Sequence, residues 1–409
     1  MEPEPVLTAD DLRRRLLWAR RQGRPAWLWP EVPIPAWRAA MKQIGFAVSA
    51  MLGGASRARI EGDPAAIGLA GYTSGMGPFL GRWAEERRLR ADGLVTAVLA
   101  RHLAHNRLRS ARMATVAQEV VAWLAGEGVR AVVLKGAHTA GAYFPEPGVR
   151  PAADIDLLVA AADVCRAEAA LQGAGLVFRG RARWETTWSS PSDTGSPRSL
   201  TFVHAEDPWS VDLHGSLNVW AGGGSRLAQL DIADPMSTRT PWTLEPRAGV
   251  LDQPLLLLHL TAHAGAGWQN LTLLRQVELI LVIRQDLAAG RLSWDAFLEV
   301  GERTGALGYA YPALHFCEAL APATVPREVL EACAARAPPP VRQAIARLTP
   351  ITAQRIDRAS LAEHFMWTAG WRARLQQLAA DLVPDVAWPA VLGIYEERAW
   401  RLIRGRVSQ

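Results

Sequence analysis

Leu134-Lys135-Gly136, then Arg150-Pro151-Ala152-Ala153-Asp154-Ile155-Asp156-Leu157-Leu158-Val159, is the stretch that decides the fold, and Val211-Asp212-Leu213-His214 completes it. Ala131 to Leu134 is a short apolar run of the kind that makes a buried strand, and Gly136 to Tyr143 suits a helix opened by glycine. Ile155 and Leu157 to Val159 form a second strand. Ala160 to Leu171 reads as a helix ended by Gly173 and Gly175. Shorter strand signals follow at Leu176 to Phe178, Leu200 to His204 and Ser210 to Leu213, with Ala205-Glu206-Asp207-Pro208 as turn chemistry between the last two.

The chemistry follows from the period of a strand. Residues i and i+2 share a face, so Asp154 and Asp156 project side by side, about 6–7 Å apart at the backbone. Two carboxylates so placed repel unless a cation lies between them. An all-oxygen ligand set suits Mg²⁺, which completes its shell with water and substrate phosphates. Asp212 sits on another short strand between Val211 and Leu213. If the two strands are neighbours, three carboxylates converge in a site suited to two metal ions. Repulsion among them predicts that Asp156→Asn leaves the metal-free protein equally or more stable. Gly136, at a strand-to-helix turn, lets phosphate oxygens approach backbone N–H groups. Lys135 and Arg150 supply positive charge for phosphate.

Three polar features are secondary. His259 and His263 lie four apart on an apolar helical run, so they share a face; both read as core or supporting histidines, with His263 near enough to approach a nucleotide. His214 shares the strand face of Asp212 and is placed to hydrogen-bond a carboxylate or substrate. Gln276 and Glu278 read as ordinary polar helix positions, and the 17 tryptophans mostly as packing.

On the quoted motifs the chain resembles the DNA-polymerase-β-like nucleotidyltransferase superfamily, and within it a bacterial nucleotidyltransferase family. The resemblance runs from about Arg112 to Ile283. It departs from the broad superfamily in having Lys135-Gly136 where a Gly-Ser or Gly-Gly pair is usual, and in a longer gap from Gly136 to Asp154. The resemblance implies an α+β fold with a small mixed β-sheet core and helices behind it. It also implies Mg²⁺ at Asp154 and Asp156, with Asp212 as third carboxylate. The expected activity moves a nucleoside monophosphate from an NTP, ATP first, to a hydroxyl on a small molecule, peptide or protein. Lys135, Gly136, Arg150, His214 and His263 are the expected nucleotide-binding residues. Two rival readings are a toxin-like transferase acting on tRNA, motivated by the arginine-rich Arg13–Arg24 segment, and a catalytically silent nucleotide-binding scaffold.

Outward from this core, residues 1–110 read as an N-terminal helical region, 111–222 as the α/β core and 223–409 as a C-terminal helical region. A proline- and tryptophan-bearing loop is expected over Pro25 to Trp37. Gly53-Gly54 and Gly71 are expected to interrupt helices, and Trp83 to Leu108 and Met113 to Leu124 read as two long helices. With 409 residues, 49% hydrophobic and 21% charged, the chain is too apolar for a disordered protein and too irregular for a fibrous one. The formal charge is +5, yet only Lys42 and Lys135 among the 45 basic residues are lysine. An arginine excess of that kind reflects overall composition, so it argues only weakly for nucleic-acid binding. Three widely spaced cysteines make no disulfide framework, and no apolar run reaches the length of a membrane span. The acidic, proline-bearing start is unlike a secretory signal. These features together predict a cytoplasmic protein.

Overall fold

The structure is a computed structural model and describes residues 32–181, 185–192, 207–217, 219–220, 226–228, 240–268, 271–353, 365–368, 371–372, 374–375 and 378. It opens with α1 (Ile34–Leu52), β1 (Ala58–Arg59), α2 (Pro64–Ser74), α3 (Gly77–Glu85) and β2 (Leu89–Arg90). The central segment follows as α4 (Gly93–Gly126), β3 (Ala131–Val133), α5 (Gly136–Ala142), β4 (Asp154–Val159), α6 (Val164–Gly173), β5 (Val177–Arg181), β6 (Glu185–Ser189) and β7 (Ser210–His214). Then come β8 (Val219–Trp220), β9 (Arg226–Ala228), β10 (Gly249–Val250), α7 (Leu255–Ala266), α8 (Leu273–Ala288), α9 (Trp294–Thr304), α10 (Leu307–Leu320), α11 (Arg327–Arg336) and α12 (Pro339–Ile345). This is the expected α+β arrangement. Among the described residues no helix is long and apolar enough to cross a membrane.

One six-stranded mixed sheet, ordered β10-β3-β4-β7-β6-β5, organises the centre. Strand β4 lies antiparallel to β3 and parallel to β7, and β7 is antiparallel to β6. Alternation assigns the two faces. Val133, Ile155, Leu157, Val159, Val211 and Leu213 point into a core shared with Val120, Val121 and Leu124 of α4 and with Leu171 of α6. Leu158 and Val132, on the opposite face, join a second core built from helices on both sides of the sheet in sequence, including Leu99, Leu103, Leu257 and Ile280. Strand β4 is therefore covered on both faces, which is why five of its six residues are buried. The polar exceptions, Asp154, Asp156, Asp212 and His214, stand on the Leu158 face.

Three expectations need correction. From Ile34 on, the loop expected over Pro25 to Trp37 is instead the start of α1, with Trp37 buried in it. Trp83 to Leu124 is not a pair of long helices. A short helix ends at Glu85, and one 34-residue helix starts where Asp92 caps the N–H groups of Leu94 and Val95 at 2.8 and 2.9 Å. The gap left between the two expected helices, Arg109 to Arg112, is helical, and Arg109 continues the buried stripe of Leu103, Asn106 and Met113. Gly71, likewise, does not interrupt α2: it is buried in it, and a Cβ there would lie 3.2 Å from the Gly77 Cα, so glycine serves close packing. Strand β6 carries no expectation from sequence, yet it is the antiparallel neighbour of β7. The expected strand at Leu200 to His204 lies outside the described residues, as does the arginine-rich Arg13–Arg24 segment.

Candidate active site

The parallel register of β4 and β7 sets Asp154 opposite Ser210 and Asp156 opposite Asp212. Because Asp154 and Asp156 share a face, this register gathers the three carboxylates. One oxygen from each lies within 4.8 Å of the others. The convergence inferred from the motif spacing is thus realised by adjacent strands.

The three carboxylates have unequal surroundings. Asp156 is 3% exposed. Its Oδ1 accepts from Lys135 Nζ at 3.1 Å and pairs with His214 Nε2 at 3.1 Å. Burial pushes this carboxyl up, but the Lys135 charge and the His214 hydrogen bond outweigh it and hold the group well below the usual carboxylate range. His214 Nδ1 faces Glu185 Oε2 at 3.4 Å across the β6–β7 register. Burial pulls this imidazole down, yet the hydrogen bond and charge of Asp156 together with Glu185 raise it above the ordinary histidine value. Asp212 has no cation of its own among the described residues. Burial, reinforced by Asp156, lifts its carboxyl to about 6, against a hydrogen bond from Thr187 that pulls the other way. Repulsion within the cluster therefore falls on Asp212, and Asp156 is the neutralised member. The expected stability gain moves with it, from Asp156→Asn to Asp212→Asn.

A cation fits this donor set. Asp156 Oδ2 and Asp212 Oδ1 are buried and have no hydrogen-bond partner among the described residues. Buried carboxylate oxygens in that state are costly unless a cation or ordered water satisfies them. All three donors are oxygens, the ligand type of Mg²⁺ and similar hard cations.

The neighbouring charges form a second cluster. Arg150 reaches across to α8 and grips Glu278 with two hydrogen bonds, Nε to Oε1 and Nη2 to Oε2, both 3.1 Å. Thr139 Oγ1 donates to Glu278 Oε1, and Arg150 Nη1 donates to the Pro151 carbonyl at 3.2 Å. Gly136 is needed beside this guanidinium, since a Cβ there would lie 2.8 Å from Arg150 Nη1. Glu278 is thus far from an ordinary polar position: it is 4% exposed and tied to the loop that leads into β4. The sequence signal was its place among Val277, Leu279 and Ile280, a buried helical environment.

His263 and His259 share a face of α7 as expected, their rings 6.0 Å apart. His263 Nδ1 pairs with Arg275 Nη1 at 3.0 Å. Arginine can only donate, so Nδ1 is the unprotonated nitrogen. The Lys135 charge, then burial, then Arg275 keep this imidazole well below its ordinary value, hence neutral near pH 7. Lys135, Arg150, His263, Arg275 and Glu278 line one cleft with Leu260, Ala264 and Leu279.

Sequence reasoning passed over Arg109. It is 3% exposed on α4. Its Nε donates to the Ala152 carbonyl at 3.0 Å, Nη2 to the Pro208 carbonyl at 2.7 Å, and Nη1 to the Asp207 carbonyl. One guanidinium thus ties the residues entering β4 to those entering β7, the two strands that carry the carboxylates.

Comparison with known proteins agrees with this geometry. A family described as uncharacterised nucleotidyltransferase matches residues 83–322, which takes in α4 and reaches the end of α10, wider than the resemblance read from the motifs. No curated protein and no solved structure matches the chain. The matched span covers more than half of the sequence and contains all three carboxylates and their cationic neighbours, so the chain belongs to this nucleotidyltransferase family and is a transferase of phosphorus-containing groups.

Proposed function

We propose that the protein transfers a nucleoside monophosphate from a magnesium-bound NTP, ATP first among them, to a hydroxyl of a small molecule, peptide or protein. The observation that carries this reading is the register of Asp156 against Asp212, with an orphaned oxygen on each. Asp154, Asp156 and Asp212 would hold Mg²⁺. The ion, when bound, supplies neutralisation of phosphate charge and acidifies a coordinated hydroxyl.

The chain's own groups do the rest. His214 and Lys135 together engage Oδ1 of Asp156 and leave Oδ2 for ligation. Asp212 helps to take the acceptor hydroxyl proton, since its carboxylate stands beside the site where that hydroxyl would be held. The new bond joins the acceptor oxygen to the α-phosphorus. The bond that breaks joins that phosphorus to the oxygen bridging to the β-phosphorus, and its electron pair leaves with pyrophosphate. Lys135 and Gly136 receive β- and γ-phosphate oxygens, and Arg150 braces the loop entering β4. The flanking helices form the acceptor side. Catalysis is then mainly positioning and electrostatics.

The test is label transfer from each of the four α-labelled NTPs, with Mg²⁺, into a host lysate separated into protein, RNA and small-molecule fractions. Label in the protein or small-molecule fraction with wild type, and none with Asp154→Ala/Asp156→Ala, is the expected result. Label confined to RNA would favour the tRNA reading. No label in any fraction, together with no NTP binding by calorimetry, would favour the scaffold reading, whereas binding without transfer would mean that the lysate lacked the acceptor.

A further inference from the structure

Three cations line the cleft beside the carboxylates, and two of them are already neutralised. Lys135 is paired with Asp156 and Arg150 with Glu278. Among the described residues the Arg275 guanidinium has the neutral ring of His263 as its hydrogen-bond partner and no carboxylate within ion-pair distance, Glu278 feeling its charge only through space. It is half-buried on the first turn of α8. A guanidinium with no ion pair of its own in a half-enclosed cleft has an unmet need for an anion. The His263 contact fixes one nitrogen of the fork and leaves the remaining N–H donors for such a ligand.

Lys135 identifies the anion. It belongs both to the carboxylate cluster and to the cleft wall, so an anion held by Arg275 lies next to whatever the carboxylates hold. Resting on the proposed reading of the carboxylates, we propose that Arg275, oriented by His263, binds the pyrophosphoryl end of the substrate. That end is the β- and γ-phosphates before transfer and free pyrophosphate after it. The arginine comes from a helix about 120 residues beyond the Asp-x-Asp strand, so α8 adds a side chain to the nucleotide site. His263 then acts through Arg275 and does not itself touch the nucleotide.

Calorimetry on the full chain with Mg²⁺ tests this, using inorganic pyrophosphate and AMP as probes. Arg275→Gln is expected to weaken pyrophosphate binding about 10- to 100-fold, the worth of a charge-assisted hydrogen-bonded contact, and to leave AMP binding unchanged. Arg275→Lys, which keeps the charge but loses the fork, should fall between, and is read alone if the glutamine variant does not fold. Pyrophosphate binding equal to wild type in the variants would overturn the proposal. So would an equal loss for AMP, or a wild type that binds no pyrophosphate. Arg275-dependent pyrophosphate binding in a protein that binds no NTP and transfers no label would sink the transferase reading and leave this one standing.

Discussion

Two buried ionic clusters meet at the cleft, and they are completed to different degrees. In the Arg150–Glu278–Thr139 cluster both carboxylate oxygens accept hydrogen bonds and the guanidinium is gripped at two nitrogens. In the Asp156–Lys135–His214 cluster one oxygen takes both partners and the other takes none among the described residues, while Asp212 alongside keeps a second orphan. The first is a closed strut joining the loop before β4 to α8. The second is open among the described residues, and one oxygen from each of Asp154, Asp156 and Asp212 lies within 4.8 Å of the others. A fold tolerates such a defect where a ligand supplies the missing partner.

The largest expected effect separates the clusters by activity. Asp156→Asn should lower transfer at least about 10³-fold while the protein stays folded, as measured by initial rates against far-UV circular dichroism. Glu278→Ala should act through the fold. It leaves Arg150 buried without its counter-charge, a loss of about 3–5 kcal/mol in denaturant unfolding. Glu278→Ala stability close to wild type would show that the closed cluster is not a strut.

Arg109 extends the comparison to the scaffold beneath the carboxylates. Arg109→Met fills the same volume but abandons three carbonyls, at a cost of about 2–3 kcal/mol. Because those carbonyls enter β4 and β7, Mg²⁺·NTP affinity should fall as well, in thermal-shift titrations run where the variant is fully folded. Lost stability with unchanged affinity would mean that the strands hold their register without the bracket.

These residues also mark how far the sequence was legible. Asp154, Asp156 and Asp212 were readable because strand periodicity is two and their flanks are apolar, so face and burial follow from spacing alone. Adjacency of β4 and β7 was a condition the sequence left open, since pairing is set by tertiary packing. Strand β6 escaped because Glu185-Thr-Thr-Trp-Ser is short and polar, and its stability comes from lying between β5 and β7. Arg109 and Glu278 escaped for a common reason. A charged residue on a helix looks solvated until its partner, 43 or 128 residues away in sequence, is brought against it. Arg109 also lies in the gap between the two helices expected at Trp83 to Leu108 and Met113 to Leu124, which the structure joins as α4.

The smallest effect lies inside the open cluster and is a matter of sign. Asp156 titrates low, so it stabilises the fold above the ordinary carboxylate range and loses that contribution as pH falls through its depressed value. Asp212 is raised from 3.8 to about 6, so its contribution is fully present below pH 3.8 and is lost as pH rises through 6. Above that pH the ionised Asp212 opposes folding by about 1–2 kcal/mol, allowing for solvent screening at a half-buried group. Asp212→Asn should therefore stabilise the metal-free protein by that amount at pH 7.5 and by almost nothing at pH 4. Mg²⁺ should shrink the difference at pH 7.5, because ligation gives Asp212 the counter-charge that Lys135 and His214 give Asp156. Denaturant midpoints at the two pH values, with EDTA and with Mg²⁺, check all three statements. An Asp212→Asn variant less stable than wild type at pH 7.5 in EDTA would place the unmet charge elsewhere in the cluster.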